Sequence, residues 1–114
     1  MARKKMVIVD TEKIEWQTVV GGRQLPKGSW AKVLRIDEKT GAITGLVKLD
    51  KGVHEPKHKH PSDEDRMILE GKLIGEKGNE IRKGMYWFTP AGVEHAVDAP
   101  EGCVLFVHFY GPPW

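Results

Sequence analysis

The stretch GVHEPKHKHPSDEDRMILEG, running from Gly52 to Gly71, decides how the rest of this chain is read. His58 and His60 stand two apart, and Glu64 follows four residues after His60. Alternate side chains of an extended strand share a face, so His58 and His60 point the same way. Two imidazoles with a carboxylate a short loop later make the start of a metal site. A second turn-rich stretch, GMYWFTPAGVEH from Gly84 to His95, supplies His95 as the fourth member. Taken alone, His58 and His60 would read as surface histidines among lysines. With Glu64 and His95 they form a mixed nitrogen–oxygen set suited to a first-row divalent metal.

Counting on from Glu64 at period two puts Arg66 and Ile68 on the metal-facing side and sends Asp63 and Asp65 to the other face. An arginine inside a small all-β domain needs an anion nearby. Either Arg66 grips a carboxylate or enolate oxygen of a substrate, or it pairs internally with Glu64 or another acid. A strand phase shifted by one would instead put it on the surface. His54 shares parity with His58 and His60 but sits at the strand entrance, which makes it a rim residue. His108 alternates with Phe106 and Tyr110 on the last strand and reads as a core or interface histidine, with pocket acid–base work as the other reading. Glu94 faces outward. The aromatics cluster late in the chain, and Phe88 and Phe106 are the expected cavity walls. The expected pocket therefore comprises Arg66, Ile68, Phe88, Phe106 and His108. Pro112-Pro113-Trp114 either frays or packs on a partner subunit.

Composition bounds the class. At 114 residues the chain has the size of one domain and can bury a core. A hydrophobic share of 39% with 30% charged residues marks a soluble surface. A net charge of +2 gives no argument for nucleic acid. Ala2-Arg3-Lys4-Lys5 is a short solvated basic start, and no apolar run has membrane-spanning length. Nor does a signal-length apolar segment follow it, because Met6-Val7-Ile8-Val9 ends at Asp10. A lone Cys103 suits a reducing cytoplasm, so a cytoplasmic location is expected.

The chain otherwise reads as short strands. Met6–Val9 is expected to be an edge strand, followed by runs at Lys13–Trp16 and Thr18–Val20 that Gly21-Gly22 breaks off. Trp30–Ile36 and Ile43–Leu49 flank the hairpin chemistry of DEKTG, with Ile43, Val47 and Leu49 on one side of the pleat. Gly71 is expected to end the strand that begins at Glu64. Further short strands follow at Lys72–Ile74, Glu80–Arg82, Met85–Phe88, Glu94–Val97 and Cys103–Tyr110. Nothing offers helical periodicity, and many short strands imply an antiparallel sandwich or barrel.

These residues resemble the two cupin motifs. The first is Gly, five residues, His-x-His, three or four residues, Glu, six residues, Gly; Gly52, His58, His60, Glu64 and Gly71 keep every spacing. The second is Gly, five residues, Pro-x-Gly, two residues, His, three residues, Asn. Gly84, Pro90, Gly92 and His95 match it, while the closing Asn position holds Ala99. The departure removes a polar group and no ligand.

The resemblance implies a single cupin domain over residues 1–114, an all-β jelly roll (a double-stranded β-helix), with motifs at 52–71 and 84–99 and the metal inside. The runs at 30–53 and 101–114 are similar to the branch holding small non-haem dioxygenases, which cleave carbon–carbon bonds beside a ketone, and the zinc-binding cupin domains of anti-sigma factors. It implies His58, His60 and His95 as ligands, with Glu64 a fourth ligand or a hydrogen-bonded base. Iron is the leading metal, and zinc, nickel, manganese and copper suit the same donors. The expected activity is oxygen-dependent cleavage of a small diketone or hydroxyketone, with Glu64 and Arg66 as the catalytic side chains. The alternatives are a zinc-binding sensor or ligand-binding module, and a metal-dependent isomerase or lyase of a sugar or small acid. A homodimer is expected, because the edges of a jelly roll need covering and Met6–Val9 suits pairing, with Trp16 and Trp114 adding apolar surface.

Overall fold

The computed structural model describes residues 5–114; Ala2, Arg3 and Lys4 of the basic start lie outside them. The described chain is all β apart from a single 3-10 turn at Thr11–Lys13, capped by the Asp10 side chain, which accepts from the Glu12 amide at 3.0 Å. Its strands are β1 (Val19–Val20), β2 (Arg23–Gln24), β3 (Ser29–Ile36), β4 (Ile43–Leu49), β5 (Val53–His58), β6 (Glu64–Gly75), β7 (Glu80–Arg82), β8 (Tyr86–Thr89), β9 (His95–Ala99) and β10 (Cys103–Phe109). β1 and β2 form a small hairpin whose turn, Gly21 at φ 57° and Gly22 at φ 77°, needs two left-handed residues in succession.

The larger strands pair antiparallel in the order β3-β4-β10-β6-β9-β5, with β7 and β8 also on β6. β6 is the hinge of this arrangement. Its first half, from Glu64 to Met67, pairs with β8 and with β10. Its second half, from Lys72 to Gly75, pairs with β7 and β9 instead. Gly71 does not end the strand, as its position suggested, but turns it from one sheet into the other. It holds φ 73°, and a Cβ there would stand 2.3 Å from the Gly102 carbonyl oxygen.

Between the two sheets lies one core. Leu49, Ile68, Leu105, Val107 and Phe109 enter from the first, and Leu73, Val97 and Ala99 from the second. Burial alternates along β10, with Cys103, Leu105, Val107 and Phe109 inside.

Two expected strands are absent. Lys13–Trp16 is a turn and loop, and Met6–Val9 makes no strand pairing and lies exposed. Trp16 instead caps the outside of β3 and β4, with the Lys32 and Lys48 ammonium groups 4.7 and 5.0 Å from its ring. No helix among the described residues is long and apolar enough to cross a membrane.

Candidate metal centre

Strand pairing brings the two motifs together. His58 closes β5 and His95 opens β9, directly opposite each other in register. His60 follows in the connecting loop, and Glu64 opens β6. The ring centroids lie 4.2 Å apart for His58 and His95, 4.9 Å for His58 and His60, and 5.4 Å for His60 and His95. One ligand atom from each of the three falls within 4.8 Å of the others, so this trio could hold a metal ion. Glu64 Oε1 stands 4.0 Å from His60 Nε2 and 3.9 Å from His95 Nε2.

The backbone fixes which nitrogens face inward. His58 Nδ1 meets the Pro56 carbonyl at 2.7 Å, His60 Nδ1 the Pro113 carbonyl at 2.7 Å, and His95 Nδ1 the Val93 carbonyl at 3.1 Å. A carbonyl only accepts, so each Nδ1 donates its hydrogen and each neutral ring turns a bare Nε2 toward the others. Burial pushes the His60 pKa down despite the Pro113 carbonyl, which favours that neutral form. His60 Nε2, His95 Nε2 and Glu64 Oε1 are all buried with no hydrogen-bond partner among the described residues. Three buried acceptors facing one another without a donor carry a desolvation cost that a bound cation would relieve. The donor set therefore fits a divalent ion, with nitrogen from three imidazoles and oxygen from Glu64 to hand.

Arg66 enters the interior, as period two from Glu64 requires, and it is paired there with two acids. Its Nε donates to Glu64 Oε2 at 2.7 Å, and a terminal nitrogen donates to Glu55 Oε1 at 3.2 Å. The sequence alternative that pairs Arg66 internally is the arrangement found. Burial pushes the Glu55 carboxyl up, but the Arg66 guanidinium, together with His58 and His95, holds the group below its ordinary value. Burial disfavours charge on Arg66 as well, and the two carboxylates more than offset that. Glu55 was missed in the sequence. It faces inward with His58, its Oε1 3.8 Å from His58 Nε2, because the β5 pairing slips between Glu55 and His58 and breaks the period-two count. The same slip leaves His54 outside, exposed and bound to Asp98 Oδ1 at 2.5 Å.

A cavity of about 320 Å³ adjoins His58 and His60. Its walls are mostly apolar, among them Leu25, Val33, Ile43, Val47 and Phe109, with Glu55 and Arg66 at the histidine end and Trp114 in the wall as well. Phe109 packs edge-on against His60 at 4.9 Å. Of the expected pocket residues only Arg66 lines this space. Ile68 points inward but is sealed in the core. Phe88, Phe106 and His108 are corrections, because all three occupy the outer face. Phe88 is exposed and pairs across from Asp65, Phe106 alternates out of the core, and His108 Nδ1 bonds Thr44 Oγ1 at 2.8 Å. The β10 sequence carries the signal that would have placed Phe106 and His108. Cys103, Leu105, Val107 and Phe109 are uniformly apolar, while the alternate set includes His108 and ends toward Tyr110.

Outside the barrel, Asp63 Oδ1 accepts the Ala91 amide at 2.8 Å, and Asp65 accepts from the hydroxyls of both Tyr86 and Tyr110. Burial pushes the Cys103 thiol up to about 11, which leaves it a poor nucleophile.

Comparison with known proteins agrees with the fold. No curated protein matches the chain. Solved structures do. An RmlC-like cupin from Ralstonia eutropha JMP134 superposes with a TM-score of 0.79 at 17% identity, over 94% of this chain and 69% of its own. An acetylacetone dioxygenase from Acinetobacter johnsonii gives 0.70 at 18% identity, over 97% of this chain and 80% of its own. The anti-sigma ChrR of Rhodobacter sphaeroides, solved in complex with SigE, gives 0.67 at 22% identity, over 88% of this chain and 51% of its own. At these identities the likeness is one of fold. The model of the ChrR cupin-like domain matches residues 4–112, and with nearly the whole chain inside that match, this protein belongs to the ChrR cupin-like family.

Proposed function

We propose that the chain is a metal-dependent enzyme of the oxygenase type, acting on a small oxygenated compound such as a diketone or hydroxyketone. The observation that carries this is the convergence of three bare imidazole nitrogens and Glu64 Oε1 beside an apolar cavity large enough for a small organic molecule. A bound iron ion would supply Lewis acidity and oxygen chemistry there. His58, His60 and His95 would hold it, with Glu64 as a fourth donor or as the base nearest it.

The surrounding residues define what the site accepts. Two carboxylates, the half-buried Glu55 and the buried Glu64, face one guanidinium, Arg66, and together leave one net negative charge when ionised. A divalent ion turns that into one net positive charge, which favours a singly charged anion such as an enolate. The apolar walls exclude water from the rest of that ligand and orient its body. Because two acids hold Arg66, its role in this reading is to steady the site's own carboxylates rather than to clamp substrate.

A second reading, a zinc-binding sensor module, is favoured by one feature. Glu64 Oε1 stands close enough to two histidines to close a four-donor set, the arrangement of a structural zinc site. The structural likeness to ChrR, an anti-sigma protein solved with its sigma factor, adds a protein partner to that reading.

Purification without chelator, metal analysis and oxygen uptake against a panel of β-diketones and hydroxyketones separate the two. Iron with substrate-dependent oxygen consumption is the expected result. Stoichiometric zinc in a closed four-donor site, with no uptake on any compound, would overturn the oxygenase reading in favour of the module.

A further inference from the structure

Pro112-Pro113-Trp114, expected to fray or to pack on a partner subunit, is built with Gly111 into the protein's own site. Gly111 and Pro113 are buried. The Ser62 hydroxyl, in the loop between His60 and Glu64, shares its hydrogen between the Gly111 carbonyl at 3.1 Å and the Pro112 carbonyl at 2.9 Å. The Pro112 ring fills the space above Gly41, where a Cβ would come within 2.8 Å of it. The Arg23 guanidinium lies 5.0 Å over the Trp114 ring. Between these ties the Pro113 carbonyl meets His60 Nδ1.

This contact differs in kind from those of the other two histidines. His58 and His95 each bond a carbonyl two residues back in their own segment, so those contacts are local. His60 depends on a carbonyl from the far end of the described chain. A neutral imidazole has two tautomers, and only the one with hydrogen on Nδ1 presents Nε2 as a lone pair.

We propose that Gly111–Pro113 is a strap that sets the tautomer and orientation of His60, and that Ser62 is the positioning residue that holds the strap in place. Ser62 touches neither the cavity nor the facing nitrogens. Its role is to hold the Pro113 carbonyl where His60 Nδ1 can donate to it. The consequence for metal affinity rests on the metal reading above; the consequence for the His60 tautomer does not.

Long-range proton–nitrogen NMR of the imidazoles in metal-free protein tests this, at about pH 8.5, above the ordinary histidine pKa. Zinc affinity is then measured by competition with a chromophoric chelator. In the unmodified protein all three histidines should show the Nδ1–H form. In Ser62→Ala, His60 alone should move toward a tautomer mixture, and zinc affinity should fall about tenfold, the lower end for loss of a partner behind a metal ligand. Ser62→Thr, which keeps the hydroxyl, should restore both. The proposal is overturned if His60 is unmoved in Ser62→Ala, or if all three histidines shift together, as general loosening would cause. Should the unmodified protein bind no zinc while His60 behaves as described, the metal reading fails and the strap stands.

Discussion

The two faces of β6 carry the same kinds of residue and treat them oppositely. Glu64 and Arg66 point inward, almost wholly buried, and bond each other. Asp65 and Met67, between and beside them, point outward into a surface that also exposes Leu69, Tyr86, Phe88 and Tyr110. Inside, each charge has an opposite charge within hydrogen-bond reach, because an unpaired one would be prohibitive there. Outside, Asp65 takes neutral hydroxyls as partners while water does the rest. Charge on a strand is thus a guide to the interior only when its partners can be found.

The largest effect should come from breaking the inner pairing. Arg66→Met keeps much of the volume but strands Glu55 and Glu64 without a cation. It should cost about 3–5 kcal/mol in metal-free protein, measured by urea unfolding, the range for removing one partner of a buried ion pair. A variant of unchanged stability would mean that Arg66 is dispensable to the fold and would reopen the substrate-clamp reading. Next, His60→Ala should lower zinc affinity at least a hundredfold, about 2.7 kcal/mol, since a direct ligand exceeds the range for supporting groups. Unchanged metal content in the purified variant would break the inner-site assignment.

Effects on the outer face should be smaller. The hydrogen bond to Asp65 pushes the Tyr86 hydroxyl up to about 12 from an ordinary 10.0. Its contribution is therefore intact below the ordinary tyrosine value and lost as pH climbs toward about 12. Asp65→Asn should bring the Tyr86 titration back toward its ordinary value, readable by ultraviolet absorbance, with no change in zinc affinity. A loss of zinc binding in that variant would show the two faces to be coupled. The exposed Met6–Val9 run and this outer surface, unpartnered among the described residues, also keep the expectation of a homodimer alive. A second copy offers both an apolar arm and an apolar face in complementary numbers. Light scattering should then give twice the chain mass, and Ile8→Lys should shift it toward monomer.

How much of this was legible beforehand depended on how each residue is specified. His58, His60, Glu64 and His95 stand at fixed spacings in turn-bounded segments, so side-chain identity alone placed them together. Arg66 followed from two-residue alternation along an unbroken part of β6. Alternation failed wherever the backbone broke it, as at the slip between Glu55 and His58, which hid Glu55 and gave His54 a parity with His58 that the structure does not keep. It also failed on β8, where Tyr86, Trp87 and Phe88 put aromatic residues on both faces, whereas on β10 the uniformly apolar set through Phe109 was the readable choice over Phe106. The Pro112-Pro113-Trp114 segment has no periodicity to read, so its carbonyl against His60 emerged only from the packing.

The turn of β6 at Gly71 has a consequence in time. One strand has to find partners in both sheets, and its neighbour β10 pairs with β4 so that Phe109 lies opposite Ile43, far away in sequence. Chains dominated by such distant pairings fold slowly, in the millisecond-to-second range, because loop closure precedes its reward. Until β5 and β9 have docked, His95 stays apart from the neighbouring His58 and His60, and the ion-holding constellation is among the last features that the folding chain completes.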